Sequence, residues 1–575
     1  MKHPLDIVLL TALCAAARGA EELRPHLSTA TITHTAREMI EPRDVQPEIG
    51  RCYLARVRNA GPGDCQGNRA RTTLLEDGRP LPHPKSLHKH IRQKGRGRYS
   101  HWRHHRLYFS ASDSSDPRTN GRSYELVSRQ TLRVRRATVR ARADSSTFTL
   151  ANPADARLTP VRLVLRNLDP AVAVVPHLRL KGWPDLTSVG GMLHSILRNG
   201  MTDEQKAVAI WAFIRDWRYH YYPAEGGDEC HDPVKFINVY GYGFCDDSAA
   251  NFAVLCRAAG LRARCYGLSG HVVAEAHYDK AWHMFDPDHQ VFYRRKDGVI
   301  AGVDHLARHP ELITAKPKSP IGYDSRKLAE LYTTTQNNRP YRRRIGRPHR
   351  LRPRLGPGDE VVFDVRWPLR AHCPRFHEQP LPPVLGNGRR VRRVDLPRTA
   401  RGGAVLLRET WPYLVLGAEL AGTLRQDGAP LRAAVSVDGR HWAPCRMARR
   451  GPRFTANADR AFSDHPTAAY AYTLKLETPG ADPAGALTAA TLTTRFQFAP
   501  KALPHVRPGK TAFELTLDFP GRPKPPDKWE GVSVVLEWTA EKGSVRRDTS
   551  ARNSTHSHTA PPGAGASSGT SRTTR

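Results

Sequence analysis

The sequence predicts an α+β protein in which one segment of mixed helix and strand lies between two β-rich regions. Residues 122–185 and 356–538 contain short runs in which apolar and polar residues alternate, which is the period of half-buried strands. Between them, residues 203–221 carry apolar side chains at helical spacing. A chain of 575 residues has room for several domains, and with 39% apolar and 25% charged residues most of it should fold.

The N-terminal end has the features of a secretory signal. A basic start at residues 1–3 precedes an apolar run at residues 4–17 and small residues at its end. The run is too short for a membrane span, and no later stretch approaches the roughly 20 apolar residues that a spanning helix needs. The sequence therefore predicts a signal peptide at residues 1–20 and no transmembrane segment. The mature chain is expected to be secreted, or to lie in the periplasm or cell envelope.

The formal net charge of +34 is extreme for a chain of this length. Such a chain can bind nucleic acid, anionic lipid or an acidic polymer. Arginine is scattered through almost every segment, however, and no nucleic-acid motif accompanies it. Arginine enrichment of the whole genome explains the charge equally well, so the sequence does not favour a nucleic-acid partner.

The most basic stretch is residues 83–106, where every charged side chain is Lys or Arg. Tyr99, Trp102 and Tyr108 lie in or beside it, and aromatic residues among basic ones can grip a phosphate or sulfate backbone. We favour a solvated, partly disordered loop, because charge runs are usually solvated. A polyanion contact through this basic loop stays open as the alternative.

Two β-rich regions flank the central segment. The N-terminal one, residues 21–185, begins with the basic loop and continues into alternating strands. The C-terminal one, residues 346–541, has short strands and a hairpin signal at Asp438-Gly439, so two packed antiparallel sheets in a β-sandwich are expected. Residues 542–575 are mainly Ser, Thr, Gly, Pro and Arg, which predicts a disordered tail.

The central segment opens with a predicted amphipathic helix. Thr202 and Gln205 have the spacing of a capping box, so the helix should begin directly after Thr202. Its apolar side chains recur at helical spacing, namely at Ala207, Ile210, Trp211, Ile214 and Trp217. The change of period from the preceding strands marks the start of a new domain.

Cys245 lies at the start of a second predicted helix. Gly241 and Gly243 permit a tight turn before it, and Gly260 is a natural C-cap after it. The unpaired amides and the dipole at a helix N-terminus favour an anion, and therefore the nucleophilic thiolate. A lone cysteine is more often a small buried hydrophobic residue, so the assignment of Cys245 depends on its partners.

Two or three strands follow that helix. His271 begins one of them, a turn at Asp279-Lys280 reverses the chain, and Asp286 ends the next. Antiparallel neighbours of this kind can bring both side chains to the cysteine. His271 would then deprotonate the thiol of Cys245, and Asp286 would hold the imidazole in the correct tautomer.

Three separated blocks of this segment resemble the transglutaminase-like superfamily. The first is Gly-Phe-Cys at residues 243–245, followed by a helix that ends in Arg-Ala-Ala-Gly at residues 257–260. The second is Leu-Arg-Ala-Arg at residues 261–264. The third is the strand that opens with His271, together with the strand that closes with Asp286. The blocks agree with the family pattern in both order and spacing.

The resemblance covers the core of residues 186–345 and not the flanking regions. It implies a papain-like, transglutaminase-type α+β core with Cys245, His271 and Asp286 as its catalytic triad. It also implies a cysteine hydrolase or amidase, with protein cross-linking as a minority activity of the family. The chain departs from the pattern at Val272-Val273, where the family often has Ala-Trp. That departure concerns the pocket beside the triad.

The upstream block contains two candidate oxyanion donors. Asn238 or Tyr242 could donate a hydrogen bond to the developing negative charge, alongside the backbone amide of Cys245. Donors aimed at that charge are a large part of acyl-transfer catalysis.

No cofactor and no metal is predicted. The chain has no Cys-x-x-Cys pair, and Cys230-His231 with His220 lack the spacing of metal ligands. In an oxidising compartment Cys52 and Cys65 could close a small loop, but spacing alone does not decide the pairing.

The resemblance therefore implies a cysteine hydrolase of the amidase or peptidase type, or an acyltransferase, and the predicted signal peptide implies that it is exported. It would act through a thioester on Cys245, on a peptide, glycopeptide or cell-wall amide. Hydrolysis and transamidation use the same residues, so the sequence does not choose between them. The alternative is a non-catalytic glycan-binding or surface scaffold protein, since the β-rich flanks resemble carbohydrate-binding sandwiches in class.

Overall fold

The structure is a computed structural model. It describes residues 20–57, 71–103, 105–220, 229–341, 349–365, 385–394, 404–463, 465, 467–479 and 483–541. Helices occur together with many sheets, so the predicted α+β class is confirmed. The predicted signal peptide (apart from Ala20), the predicted tail and Cys65 lie outside the described residues. Within those residues, no helix is both long enough and apolar enough to cross a membrane.

The N-terminal region consists mostly of strands. Its elements are β1 (Glu21–Glu22), β2 (His26–Ile40), β3 (Val45–Pro47), β4 (Tyr53–Arg56), β5 (Thr72–Glu76), β6 (Arg79–Pro80), α1 (His88–Lys94), β7 (Tyr99–Trp102), β8 (Arg106–Phe109), β9 (Tyr124–Ala141), β10 (Ser145–Asn152), β11 (Arg157–Asn167) and β12 (Val175–Leu180). The long strand β2 was not predicted, because its polar and small residues do not alternate with large apolar ones.

The basic stretch at residues 83–106 contains a helix and a strand, so the prediction of a partly disordered loop is wrong, although most of its charged side chains are exposed to solvent. It forms α1 and β7, and β7 pairs with β8 in a four-stranded sheet. His88 stacks on Tyr108 with ring centroids 3.9 Å apart. Arg92 forms an ion pair of 2.5 Å with Glu48. Both partners lie outside the stretch, which is why its own composition did not reveal them.

The central segment combines helices with a small sheet. Its elements are α2 (Val189–Ile196), α3 (Asp203–Trp217), β13 (Tyr219–His220), α4 (Pro233–Lys235), a π-helical turn (Phe236–Tyr240), β14 (Tyr242–Gly243), α5 (Cys245–Ala258), β15 (Arg262–Leu268), β16 (His271–Tyr278), β17 (Ala281–Phe285), α6 (Val303–Arg308), α7 (Glu311–Thr314), α8 (Ser325–Thr333) and β18 (Arg339–Tyr341). The sheet has the order β17-β16-β15-β18. The predicted capping box of α3 is present: the Gln205 amide donates to the Thr202 hydroxyl over 3.2 Å, and the Thr202 amide donates to the Gln205 side chain over 2.9 Å.

The C-terminal region returns to strands. Its elements are β19 (Glu360–Asp364), β20 (Gly386–Arg393), β21 (Ala404–Thr410), β22 (Leu414–Leu424), β23 (Arg432–Ser436), β24 (Ala443–Pro444), β25 (Arg446–Arg450), β26 (Arg453–Asn457), α9 (Asp459–Ser463), β27 (Ala471–Glu477), α10 (Pro483–Ala486), β28 (Leu487–Phe498), β29 (Gly509–Asp518) and β30 (Val532–Glu541). Four short 3-10 turns complete the described structure: Pro42–Asp44, Glu229–His231, Thr335–Asn337 and Pro500–Ala502.

Strands of the two flanking regions pair with each other. In a twelve-stranded sheet, β11 lies between β19 and β30, and β30 in turn pairs with β9. In a four-stranded sheet, β29 lies between β10 and β12. The two flanks are separate in sequence but share these sheets in space. The central segment is therefore an insertion between strands of one shared β-structure.

The largest cluster of buried apolar residues joins the central segment to both flanks, while smaller clusters lie within the central segment and the N-terminal region. Phe252 of α5 and Phe285 of β17 belong to the same cluster as Leu163 of β11 and Phe496 of β28. Buried residues of the sheet β21-β27-β23-β24 belong to the large cluster as well. The central segment thus rests on the flanks through a shared interior.

Hydrogen bonds to two backbone carbonyls join the π-helical turn to the C-terminal region. The amide of Ala499, directly after β28, donates to the Asn238 carbonyl over 2.7 Å. The Gln497 side chain donates to the Val239 carbonyl over 3.1 Å. The C-terminal region thereby fixes the turn that leads to β14 and to the start of α5.

Candidate active site

Cys245 is the first residue of α5, as the sequence predicts. The Phe244 amide donates to a carboxylate oxygen of Asp247 over 2.9 Å, which closes half of a capping box. A side chain on Gly243 would overlap Phe236 and Asp247, so only glycine fits directly before this turn. Cys245 is partly exposed, whereas the helix from Asp247 to Cys256 is buried. Its thiol therefore lies at the positive end of the helix dipole and within reach of solvent.

His271 is the first residue of β16. A turn with Gly270 at φ +83° joins β15 to β16. The predicted turn at Asp279-Lys280, where both residues have positive φ, joins β16 to β17. Ala274 pairs with Phe285, and continuing this register by one residue sets Asp286 opposite Val273. His271 and Asp286 are then diagonal neighbours, a relation within reach of long side chains.

The three predicted triad residues come together in the structure. Nε2 of His271 lies 2.8 Å from Oδ2 of Asp286, and both side chains are buried. Because Nε2 is used in this bond, Nδ1 is the ring nitrogen left for a further partner. The Cys245 thiol is close enough to the His271 ring to contribute to the raised pKa of that imidazole. The order Cys–His–Asp is the one in which an acid orients a base and the base contacts a nucleophile.

The surroundings of His271 favour its charged form. Burial acts most strongly and by itself disfavours the imidazolium, but the charge and hydrogen bond of Asp286, with those of Cys245, outweigh it. Together they raise the pKa of His271 well above its ordinary value. An imidazolium held in this way can pair with a thiolate.

Asp286 is held in place by groups other than His271. Its Oδ1 accepts hydrogen bonds from the backbone amides of Asp288 and His289, each over 2.9 Å. The indole N–H of Trp211 donates to its backbone carbonyl over 3.1 Å. Helix α3, predicted only as an amphipathic helix, therefore also holds the backbone of Asp286 in place.

A buried ion pair between Arg218 and Asp288 stabilises the same turn. Arg218 lies 2.8 Å from Oδ1 of Asp288 and donates to the carbonyl of Pro287, also over 2.8 Å. Nδ1 of His220 lies 2.9 Å from the same Oδ1. Burial, the largest effect on Asp288, raises its pKa, but His220 and Arg218 outweigh it and lower the pKa to about 2.

The sequence analysis missed the roles of Arg218 and Asp288. Asp288 belongs to the Asp-Pro-Asp run that closes β17, and the run itself was a usable signal. Arg218 follows α3 directly, and nothing in its local sequence points to a partner 70 residues later. His220 also stacks on Phe244, the residue before Cys245, with ring centroids 5.3 Å apart.

The two predicted oxyanion donors lie in the interior. The Asn238 side-chain amide donates to the carbonyls of Leu186 and Val234, over 2.8 and 2.9 Å. Both of its hydrogens are thereby committed, which leaves none for a substrate oxygen. Tyr242 is fully buried, with its ring edge-on to Tyr240 at 6.2 Å.

Some residues beside the triad have the chemistry of metal ligands. Single donor atoms of His271, Asp288 and His289 lie within 4.8 Å of one another, and all three residues are buried. A second such group consists of His231, Asp246 and Asp247. The sequence analysis predicted neither group, because their members do not follow a standard ligand spacing.

Comparison with known proteins identifies one domain. Residues 191–287 match the family model of the transglutaminase-like superfamily, and this stretch contains Cys245, His271 and Asp286. No curated protein matches the chain. A solved structure from Parabacteroides distasonis, named as a "putative protease", is 8% identical, with 82% of this chain and 98% of that chain covered. Its TM-score of 0.14 is too low to carry an argument about fold or function.

The raised pKa of His271 predicts a pH-dependent contribution to stability. Because His271 has a higher pKa in the folded protein than in the unfolded chain, its protonation stabilises the folded state. This contribution is complete below the ordinary histidine pKa of about 6.5 and is lost as the pH rises through the folded-state pKa. The free energy of unfolding of the wild type should therefore exceed that of Asp286→Asn most at about pH 6, just below the ordinary pKa of histidine. The excess should shrink upward from about pH 6.5, by about 1.4 kcal/mol for each unit of raised pKa.

Urea unfolding at a series of pH values measures this difference. His277→Gln is the control, because His277 lies on the same strand but contacts Arg262 and not the triad. A difference between wild type and Asp286→Asn that stays constant or grows with pH would contradict the assignment.

Proposed function

We propose that residues 186–345 form a papain-like, transglutaminase-type module that transfers acyl groups through Cys245. The observation that carries this proposal is the arrangement of three side chains. Cys245 begins a helix, its thiol acts on the pKa of His271, and Nε2 of His271 is bonded to Asp286 over 2.8 Å. The family match at residues 191–287 supports the same reaction class.

In the first half-reaction, His271 accepts the proton of the Cys245 thiol and the sulfur attacks the carbonyl carbon of an amide. A C–S bond forms and the carbonyl oxygen takes up the negative charge. The tetrahedral intermediate then collapses, the C–N bond breaks, and His271 gives its proton to the leaving amine. The product is a thioester on Cys245. Asp286 stabilises the imidazolium through these steps without taking its proton.

In the second half-reaction, the thioester is attacked by water or by an amine. His271 removes a proton from the attacking group, the C–S bond breaks, and the thiol is restored. Water gives hydrolysis and a free acid, whereas a primary amine gives transamidation. The same residues perform both, so the acceptor that enters the site decides the activity.

Backbone amides at the start of α5 are the best candidates to donate hydrogen bonds to the oxyanion. The Asn238 side chain has both hydrogens bonded to carbonyls, so it is a weak candidate for this role. The first amides of a helix have no intrahelical partner, and that of Cys245 is adjacent to the attacking sulfur. Tyr242 remains a proposal as a second donor.

The cellular setting follows from the N-terminal sequence. Residues 1–20 have the pattern of an export signal, so we propose a substrate outside the cytoplasm. Peptides, glycopeptides and cell-wall polymers are the amide-bearing substrates of that setting.

Selective alkylation tests the thiolate–imidazolium pair. At about pH 6 an ordinary thiol, with a pKa near 8.5, is almost wholly protonated. Iodoacetamide should nevertheless label Cys245 ahead of Cys256 and Cys265, which are buried; burial also raises the pKa of Cys256 well above the ordinary range. Peptide mass spectrometry after short labelling times measures the order.

Two variants make this test specific. His271→Ala should remove the advantage of Cys245, because no imidazolium then stabilises the thiolate. Asp286→Ala should weaken it less, because the carboxylate acts through the histidine. If Cys245 reacts at pH 6 no faster in the wild type than in His271→Ala, the pair is not formed, and a non-catalytic role is preferred.

A second candidate function, binding of an anionic glycan, is supported by a groove on the twelve-stranded sheet. The groove of ≈ 380 Å³ lies on the face opposite the core residues Leu163 and Leu165. Its lining contains three valines, Val164, Val362 and Val535. Its charged residues are four arginines and two glutamates, namely Arg136, Arg162, Arg166, Arg389, Glu360 and Glu537. Within the described residues, Arg389 has no carboxylate partner. Carboxylate groups of a polysaccharide would complement this excess of positive charge.

Retention on immobilised polygalacturonate tests the groove. Arg389→Glu should reduce binding and its dependence on salt, because a charge contact is replaced by repulsion. Arg440→Glu, at an exposed turn outside the groove, makes the same change in net charge and is the control. Equal losses in both variants would show that only net charge matters, and retention on DNA alone would exclude a glycan as the ligand.

A further inference from the structure

Three buried side chains beside Cys245 form a compact set of metal-binding donors. His271, Asp288 and His289 each offer one atom, and these atoms lie within 4.8 Å of one another. A zinc ion with bonds of about 2 Å needs ligand atoms about 3.3 Å apart, so small side-chain rotations would close the set around an ion. Their exposed fractions are only 6%, 2% and 6%.

His289 has no assigned task in the acyl-transfer reaction, and one of its nitrogens is unsatisfied. Its ring meets His271 edge-on at 4.7 Å and Tyr323 at 4.9 Å. Its Nδ1 is buried and has no hydrogen-bond partner within the described residues. Buried polar atoms almost always have a partner, so an orphaned ring nitrogen next to two further donors points to a missing ligand.

Asp288 offers a carboxylate oxygen to the same ligand. Arg218 and His220 both bond its Oδ1, which fixes the carboxylate and leaves Oδ2 for another partner. Because Arg218 offsets part of the negative charge, the two imidazoles provide most of the affinity. Two imidazoles and one carboxylate form a donor set that suits Zn²⁺, whereas Mg²⁺ and Ca²⁺ prefer oxygen ligands.

We propose that His271, Asp288 and His289 form an inhibitory site for Zn²⁺ or a similar transition-metal ion. A neutral imidazole has one nitrogen with a free lone pair and one that carries hydrogen. Once the lone pair binds a metal, the other nitrogen keeps its hydrogen, and neither can accept the proton of Cys245. Metal binding therefore removes the base, whichever nitrogen of His271 is used. The inhibitory effect rests on the proposed function, but the binding itself does not.

The binding test uses a readout that needs no substrate. Cys245→Ala is the background, so that capture of metal by the thiol alone does not contribute. Isothermal titration with Zn²⁺, and the visible absorption of Co²⁺, measure the affinity and the donor set. Adding His289→Phe, which keeps an aromatic ring against His271 and Tyr323, should weaken binding by about tenfold or more.

His277→Phe is the matched control and should leave the affinity unchanged, since His277 lies on the same strand away from the three donors. If His289→Phe does not fold, His289→Gln replaces it, because glutamine retains polarity but lacks the imidazole. Equal Zn²⁺ affinity in the His289 variant and the control overturns the site. So does loss of all binding in Cys245→Ala, which would mean that the thiol alone captures the metal.

The regulatory consequence is tested separately with Cys245 intact. Micromolar Zn²⁺ is expected to slow alkylation of Cys245 more strongly at about pH 8 than at about pH 6, because a metal-bound imidazole must first lose its proton. A chelator should reverse the effect, and Mg²⁺ should have none. The same Zn²⁺ should slow alkylation less in His289→Phe, each variant being compared with its own metal-free rate. Binding without slower alkylation overturns the inhibition while leaving the site. Failure of the low-pH reactivity itself counts against the proposed function instead.

Discussion

The buried bond between His271 Nε2 and Asp286 Oδ2, 2.8 Å long, is the constraint on which the rest of the site depends. It requires two hairpins with a fixed register, because a slip of one residue would turn one of the two side chains to the other face of the sheet. It also requires the Asp286 carboxylate to be held in one orientation. The backbone amides of Asp288 and His289 do this by donating hydrogen bonds to Oδ1 of Asp286. The acid therefore cannot turn away from the imidazole without breaking its own turn.

The flanking β-structure supports this arrangement from a distance. The π-helical turn before β14 is bonded to Gln497 and Ala499 at the end of β28. Tyr470 of the C-terminal region donates to Glu229 over 2.8 Å, beside the turn that precedes α4. Since β14 leads directly to Cys245, these contacts determine where α5 begins. Rigid elements therefore position Cys245, as the proposed acyl-transfer reaction would require.

Local features of the site could be predicted from the sequence. The start of α3 at its capping box, the start of α5 at Cys245 and the left-handed turn at Asp279-Lys280 each depend on a few neighbouring residues. Glycines and capping residues act locally, so their effect can be recognised in a single sequence. The helix start at Cys245, the two neighbouring strands that carry His271 and Asp286, and the family resemblance together predicted that these residues lie close to one another.

Long-range pairing could not be predicted in the same way. The two flanks share sheets because β11 pairs with β19 and β30, strands that follow it by about 200 and 370 residues. The basic stretch folds because Glu48 and Tyr108, outside it, supply an ion pair and a stacking surface. The ion pair between Arg218 and Asp288 forms only in the folded chain. The same is true of the hydrogen bonds from Asn238 to the carbonyls of Leu186 and Val234. Such partners leave no periodic or spacing signal.

Trapping of the acyl-enzyme tests the central claim most directly. Incubation with p-nitrophenyl acetate should release nitrophenol and leave one acetyl group on the peptide that contains Cys245, as measured by mass spectrometry of quenched digests. His271→Ala should abolish this adduct, because the thiol then lacks its base, although the protein stays folded by circular dichroism. An acetyl group that appears on other cysteines instead, or on Cys245 equally in His271→Ala, would contradict a Cys245–His271–Asp286 catalytic unit.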